Sequence, residues 1–218
     1  MKLKNISILA GGIFGLISAT SAFANGPQYQ VKVTNITKGQ SFTPILTVAH
    51  SSPVSLFTLG EPASEEIAAM AEAGNIAPLR TLVEGSSSVS DTASSQGLLG
   101  PGESTVMMVT GSYNDMRVSM AAMLLPTNDT FMAIDSVRVP YNGSVVAYAK
   151  AYDAGSETND ELCASIPGPL CGGEPLSPND DGEGFVHISS GIHGVGDLGS
   201  AAYDWRDAVA KVEIQIIY

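Results

Sequence analysis

The stretch that decides the fold is "AVAKVEIQII", residues 208–217. Polar and apolar side chains alternate along it with a period of two, the pattern of a half-buried β-strand. Ala210, Val212, Ile214 and Ile216 share one face of this predicted strand. A chain that ends in such a segment needs other strands to pair with it, and the rest of the sequence supplies them.

Six further segments are predicted strands. Each is an alternating or apolar run, rich in β-branched or aromatic residues and bounded by Gly, Pro, Asn or Asp. One helical insertion interrupts them at 64–74, with Ser64 as N-cap and Gly74 as stop, and 77–85 is a candidate second helix. Seven strands at short spacing with one helical insertion indicate a mostly β protein, an antiparallel β-sandwich. The six strands are 29–36, 44–50, 104–111, 116–124, 131–139 and 144–152.

The first 24 residues have the features of a secretory signal peptide. A basic start precedes a charge-free apolar stretch, and Ala22-Phe23-Ala24 matches the small-x-small cleavage pattern. No second apolar run approaches the roughly 18–20 residues that span a bilayer, so no transmembrane anchor is expected. The sequence predicts a secreted or periplasmic protein, cleaved after Ala24, whose residues 25–218 form a single domain.

The charge balance excludes one class of partner. Without the predicted signal peptide the chain has eight basic and 22 acidic residues, a net charge of −14. Nucleic-acid binding requires clustered Lys and Arg, so this function is not expected. Acidity fits cation binding and also plain solubility, and composition alone leaves both open.

Cys163 and Cys171 are the only two cysteines. In an exported chain two cysteines most commonly form a disulfide, which here would close a small loop containing Pro167, Gly168 and Pro169. A metal-binding cysteine pair is the alternative, although no His or further Cys stands nearby at ligand spacing.

Acidic residues recur where predicted strands begin or end. "AYDAGSETNDE", residues 151–161, places four of them after the strand 144–152. Ca²⁺ takes six to eight oxygen ligands, and carboxylates gathered from neighbouring loops can supply them. Acids in surface loops are also commonly just solvated, so spacing alone does not decide. The acids of the helical insertion are interpreted as its solvated face; they are Glu61, Glu65, Glu66 and Glu72.

Histidines raise the possibility of an enzyme. A metal-dependent hydrolase using His187, His193 and nearby acids is the alternative function, but it requires a third spaced ligand and a general base. The sequence also has no G-x-S-x-G elbow and no P-loop. The favoured interpretation is therefore a protein that is not an enzyme.

Six stretches between Tyr29 and Ile217 carry a family resemblance. They are "YQVKVTNITKGQSFTPILTVAH", "LFTLGEPASEEIAAMAEAGNIAPL", "LLGPGEST", "PTNDTFMAIDSV", "YDAGSETNDE" and "YDWRDAVAKVEIQI". Together they resemble the spondin N-terminal domain family, to which F-spondin and mindin belong and which has many exported bacterial members. The chain looks closer to the bacterial members in its cysteine loop.

The resemblance implies a C2-like β-sandwich that binds Ca²⁺ at one end. Glu157 stands where the animal proteins have Asp, while Asp160 and Glu161 are expected in solvent. The implied function is an exported, non-catalytic surface or matrix binding module for adhesion, whose partner is an extracellular or envelope protein or a glycan. The implied calcium carboxylates are Glu103, Asp129, Asp153 and Glu157.

Overall fold

The computed structural model describes residues 26–51, 54–177 and 181–217. The predicted signal peptide lies outside these residues. Within them the chain forms ten strands, three α-helices and one short 3₁₀ helix, Cys163–Ser165. The strands are β1 Gln28–Asn35, β2 Ser41–Phe42, β3 Leu46–His50, β4 Val89–Ser94, β5 Ser104–Thr110, β6 Arg117–Leu125, β7 Thr130–Arg138, β8 Ser144–Asp153, β9 His187–Ile188 and β10 Ala210–Ile217; the helices are α1 Glu65–Ala73, α2 Ala77–Glu84 and α3 Ser200–Tyr203.

All the described strand pairs are antiparallel. The main sheet has the order β4-β3-β6-β7-β8-β10-β1-β5, with β2 added to β6 and β9 added to β8. The C-terminal β10 lies in the middle of this order, between β8 and β1. Its predicted apolar face is buried from Ala210 to Ile216, which confirms the alternation as a half-buried strand.

The sheet curls on itself, so that its two end strands meet. The Thr110 N–H of β5 donates to Asp91 Oδ2 of β4 at 2.7 Å. The inward faces of β1, β5 and β10 then pack on the inward faces of β6 and β7. For example, Val31 and Ile214 belong to the same apolar cluster as Met120. The predicted mostly β, antiparallel sandwich is therefore confirmed.

The helical insertion covers the other face of β3, β6 and β7. Ile67 and Met70 of α1 are fully buried and pack with Leu46 and Phe131 from the sheet. The helix begins where the sequence predicts, because Ser64 Oγ accepts a hydrogen bond from the Ile67 N–H. It ends at Gly74, whose φ of 65° is the left-handed conformation that glycine adopts at little cost.

Three of the ten strands lie outside the predicted ones: the two-residue strands β2 and β9, and the longer β4. β4 lies in the segment 85–102, where no strand was predicted. Its residues, "VSDTAS", are half-exposed and mostly polar, so they show no apolar alternation. Pairing with β3 forms the strand, and the paired residues are 39 to 48 positions apart in the sequence.

Cys163 and Cys171 are joined by a disulfide, as predicted. The loop that they close reaches a small apolar cluster of its own, in which Ile166 packs with Ile192 and Leu198. The disulfide thus fixes the loop beside the segment that leads to β10. None of the helices in the described part of the chain is long and apolar enough to cross a membrane.

Candidate metal centre

Four carboxylates are buried together at one end of the sandwich. They come from the last turn of α1, the residue before β7, the end of β8 and the loop that follows it. Each side chain is at most 8 % exposed, which is unusual for acids and costs stability unless the charges are compensated. The four residues are Glu72, Asp129, Asp153 and Glu157.

Asp129 is the most enclosed of the four. Its Oδ2 accepts hydrogen bonds from the backbone N–H groups of Ser156 at 2.8 Å and Glu157 at 3.0 Å. Its Oδ1 is buried and has no hydrogen-bond donor among the described residues. Burial, with the neighbouring charge of Asp153, raises the pKa of Asp129 to about 7.

Asp153 is the last residue of β8 and pairs with Thr130 and His187 on the adjacent strands. Its Oδ1 accepts from the Gly155 N–H at 2.9 Å and its Oδ2 from the Asn159 side-chain amide at 3.0 Å. Burial raises the pKa of Asp153, although these hydrogen bonds and His187 act in the opposite direction.

Glu157 repeats the pattern of one satisfied and one unsatisfied oxygen. Its Oε1 accepts from the Ser177 N–H and hydroxyl, at 3.1 and 2.6 Å, while its Oε2 is buried without a described donor. Burial raises the pKa of Glu157 to about 7, and the charge of Glu72 adds to the effect. Burial also raises the pKa of Glu72.

Glu72 was expected on the solvated face of the helical insertion, and this expectation was wrong. It is 8 % exposed and faces the loop at Ser156, whose side chain is its hydrogen-bond partner. Because Glu72 lies off the apolar stripe formed by Ile67, Met70 and Ala71, helical periodicity gave no indication of its burial.

Glu103, the fourth predicted calcium carboxylate, lies on a different turn. Its side chain is exposed, and its Oε2 accepts a hydrogen bond from the Gly100 N–H at 2.8 Å. Among the described residues, the hydrogen bonds and charge interactions of the buried acids do not include Glu103. The structure thus brings together three of the four predicted residues, Asp129, Asp153 and Glu157.

The expectation that Glu161 is solvated was wrong. This side chain is 4 % exposed, and its two oxygens accept the backbone N–H groups of His193, Gly194 and Val195 at 2.6–2.9 Å. Its neighbour Asp160 is only half-buried and accepts from Asn128. Glu161 therefore anchors a loop and is not part of the buried acid group.

A short segment, residues 183–188, lies over Asp153 and is called the strap below. It adds two more ionisable groups, Glu183 and His187. His187 Nε2 is 3.5 Å from both Asp153 Oδ1 and Glu183 Oε2. One ligand atom from each of these three residues lies within 4.8 Å of the others. His193, the second histidine of the hydrolase alternative, has an exposed side chain. Only its backbone N–H is engaged, as a donor to Glu161.

The comparison with known proteins decides the family. A sequence model of the family described as Spondin_N matches residues 27–160. The chain belongs to the spondin N-terminal domain family. The match contains β1 to β8 and all four buried acids of the spondin domain, whereas the strap with Glu183 and His187, the disulfide and β10 lie beyond it. No curated protein matches the chain.

Proposed function

We propose that this spondin domain is an exported, calcium-binding, non-catalytic module that binds an extracellular or envelope protein or a glycan. The observation that carries the calcium part is the pair of buried, unsatisfied carboxylate oxygens, Asp129 Oδ1 and Glu157 Oε2. Buried polar atoms in proteins nearly always have a partner. A bound cation supplies the partner that both oxygens lack.

Charge supports the same proposal. Four carboxylates that are buried side by side repel one another strongly when ionised, because burial lowers the effective dielectric constant. The described ion pairs of the chain include no Lys or Arg bound to any of the four. A cation coordinated by oxygen turns this repulsion into attraction, and carboxylates from flexible loops are ligands typical of Ca²⁺.

Three residues would hold the ion, and a fourth stands close by. We take Asp129, Asp153 and Glu157 as the ligands, because the charges of Asp153 and Glu157 both act on Asp129, and Glu72 offers a carboxylate beside Glu157. Glu103 has an exposed carboxylate on another turn, so we assign it no contact with the ion. Calcium bound here would tie α1, β7 and β8 together at one end of the sandwich.

Export is supported by the disulfide between Cys163 and Cys171. Disulfides persist in oxidising compartments and are rare in the reducing cytosol. A secreted or periplasmic location, with cleavage after Ala24, is consistent with this bond and with the apolar N-terminal segment of the sequence.

Stability without calcium is expected to fall as the pH rises. Asp129 and Glu157 have folded-state pKa values of about 7, above the ordinary values of 3.8 and 4.5. A raised carboxyl pKa stabilises the folded state fully below the unfolded-state pKa, and this contribution is lost as the pH rises through the folded-state pKa. In EDTA the free energy of unfolding should therefore decrease between about pH 4 and about pH 7, the unfolded-state and folded-state pKa values of these two groups.

Calcium should reduce this decrease, because the ion binds the ionised carboxylates that the higher pH produces. Urea unfolding followed by circular dichroism at several pH values, with EDTA and with Ca²⁺, measures both slopes. Asp129→Asn removes one of the titrating groups and should flatten the EDTA curve, whereas Asp207→Asn, at an exposed position, should not. A wild-type curve in EDTA that is flat or rises with pH would contradict the proposed charge state.

Partner binding is expected to depend on calcium. The purified protein is applied to arrays of glycans and of matrix and envelope proteins, with Ca²⁺ or with EDTA. Binding that requires Ca²⁺, is lost in Asp129→Asn and is kept in Asp207→Asn would support a calcium-dependent module. Binding that is equal for all three proteins, with Ca²⁺ and with EDTA, would separate the partner surface from the metal site and remove calcium from this part of the function.

A further inference from the structure

We propose that Asp153, Glu183 and His187 form a second metal site, for Zn²⁺ or another divalent transition metal that prefers imidazole nitrogen. The site shares Asp153 with the proposed calcium site, but its other two ligands are separate and it does not depend on calcium binding there. Glu183 and His187 lie beyond the residues that match the family.

The hydrogen bond of the His187 ring defines which nitrogen can bind a metal. Nδ1 lies 3.0 Å from the carbonyl oxygen of Ile188. A carbonyl oxygen only accepts, so Nδ1 carries the proton of this bond, and the neutral ring then has its lone pair on Nε2. Metal-binding histidines commonly donate their other N–H to a backbone carbonyl in this way.

Nε2 is buried and makes no hydrogen bond of ordinary length in the described structure. It points between two carboxylate oxygens, Asp153 Oδ1 and Glu183 Oε2, each 3.5 Å away. This separation exceeds the 2.7–3.2 Å of an ordinary N–H···O hydrogen bond. A lone pair facing two negative oxygens is unfavourable unless a positive charge lies between them.

The separations fit a bound metal ion. Ligands about 2.0–2.2 Å from Zn²⁺ in tetrahedral geometry are about 3.3–3.6 Å from one another. The two 3.5 Å distances from Nε2 fall within this range, and the three ligand atoms lie within 4.8 Å of one another. The Glu183 side chain is exposed, so its carboxylate is free to adjust to a bound ion.

The strap that carries these ligands is fixed by its backbone. Gly184 N–H donates to the Gly155 carbonyl at 2.8 Å, and Val186 N–H donates to the Glu61 carbonyl at 2.9 Å. Gly155 has a φ of 65° and lies so close to the Phe185 backbone that a Cβ would clash with it. His187 and Glu183 are thereby held over Asp153 before any metal arrives, which favours binding.

Three protein ligands leave the fourth tetrahedral position to water. A hollow of about 190 Å³, lined by Glu183, Asn159 and His193 among others, adjoins the site. It gives the ion and its water a path from solvent. The alternative arrangement is a protonated His187 that forms ion pairs with Asp153 and Glu183 and binds no metal, and the experiment distinguishes the two.

The test is titration of the purified, untagged protein with Co²⁺, followed by competition with Zn²⁺. Tetrahedral coordination by nitrogen and oxygen should give Co²⁺ an intense visible absorption that Zn²⁺ abolishes. His187→Ala and Glu183→Gln should each weaken Co²⁺ binding by about 100-fold or more, since even loss of a supporting residue costs 10–100-fold. Glu174→Gln, which makes the same chemical change as Glu183→Gln at an exposed glutamate outside the site, is the matched control and should leave binding unchanged.

Each outcome bears on one site or the other. Absence of the visible band in the wild type, or a His187→Ala variant that binds Co²⁺ as tightly as wild type, would overturn the second site. His187→Ala and Glu183→Gln should retain the calcium-dependent stabilisation of the fold, because neither is a proposed calcium ligand. If calcium stabilisation instead disappears in both variants, Glu183 and His187 belong to a single calcium centre and this inference fails.

Discussion

Ca²⁺ at 100 times its dissociation constant is expected to raise the free energy of unfolding by about 2.7 kcal/mol, because the ion binds the folded protein only. For a domain of this size that corresponds to a rise in Tm of roughly 5–10 °C. The gain arises because Asp129 and Glu157 each present a buried oxygen with no donor, and both oxygens acquire a cation as partner. Thermal unfolding with EDTA and with increasing Ca²⁺ measures the shift.

Replacing one proposed ligand should leave the protein stable in EDTA but remove most of its stabilisation by Ca²⁺. Asp129→Asn removes a negative charge from the buried group, so in EDTA the variant should be at least as stable as wild type. In Ca²⁺ it should lose most of the shift, as should Glu157→Gln. Asp207→Asn and Glu174→Gln make the same chemical changes at exposed positions and should keep the wild-type shift.

A smaller test assigns the remaining carboxylates. Glu72→Gln should diminish the calcium shift if Glu72 completes the shell, and Glu103→Gln should not, because Glu103 lies on a separate turn. A full calcium shift in Asp129→Asn and Glu157→Gln would place the ion elsewhere, and an unchanged wild-type Tm in EDTA would remove it altogether.

Glu161→Ala should be the most destabilising single change at this end of the molecule. The carboxylate accepts three backbone N–H groups and is almost fully buried. Hydrogen bonds to a charged group contribute about 1.5–3 kcal/mol each. Because His193, Gly194 and Val195 are exposed residues, water can replace part of what the carboxylate supplies, and we expect a total loss of about 2–3 kcal/mol. The midpoint of urea unfolding, measured with Ca²⁺ present, gives this loss directly.

Two variants show whether the lost hydrogen bonds are the cause. Glu161→Gln keeps one acceptor oxygen and should cost about half as much. Glu174→Ala removes an exposed glutamate and should stay within about 0.5 kcal/mol of wild type. A Glu161→Ala variant less than about 1 kcal/mol below wild type would show that the 193–195 loop finds other partners.

The regular elements could be predicted because their patterns are local. Alternation in β10 identified both the strand and its buried face, and the Ser64 and Gly74 caps placed α1 to the residue. β4 could not be predicted, since its half-exposed polar residues form a strand only by pairing with β3. The partner strand lies about 40 residues earlier in the chain, which is farther than a local sequence pattern extends.

The candidate site was predicted only in part for the same reason. Family motifs indicated Asp129, Asp153 and Glu157, which are buried close enough for their charges to interact, and Glu103, which lies on another turn. Glu72 and Glu161 were both expected in solvent and are both buried. Nothing about an acidic side chain in a sequence tells whether backbone N–H groups or other carboxylates will meet it.

By itself the sequence determined the antiparallel β class, the helical insertion, the disulfide and the family. These follow from periodicity, capping residues, cysteine count and motifs, all of which are properties of short segments. Only the tertiary structure decided which acids are buried together and that the strap with Glu183 and His187 lies over Asp153. Pairing of β8 with β7 and β9, together with packing of α1 on the sheet, brings these residues to one end. The electrostatic environment of a carboxylate depends on such neighbours, which are distant in sequence.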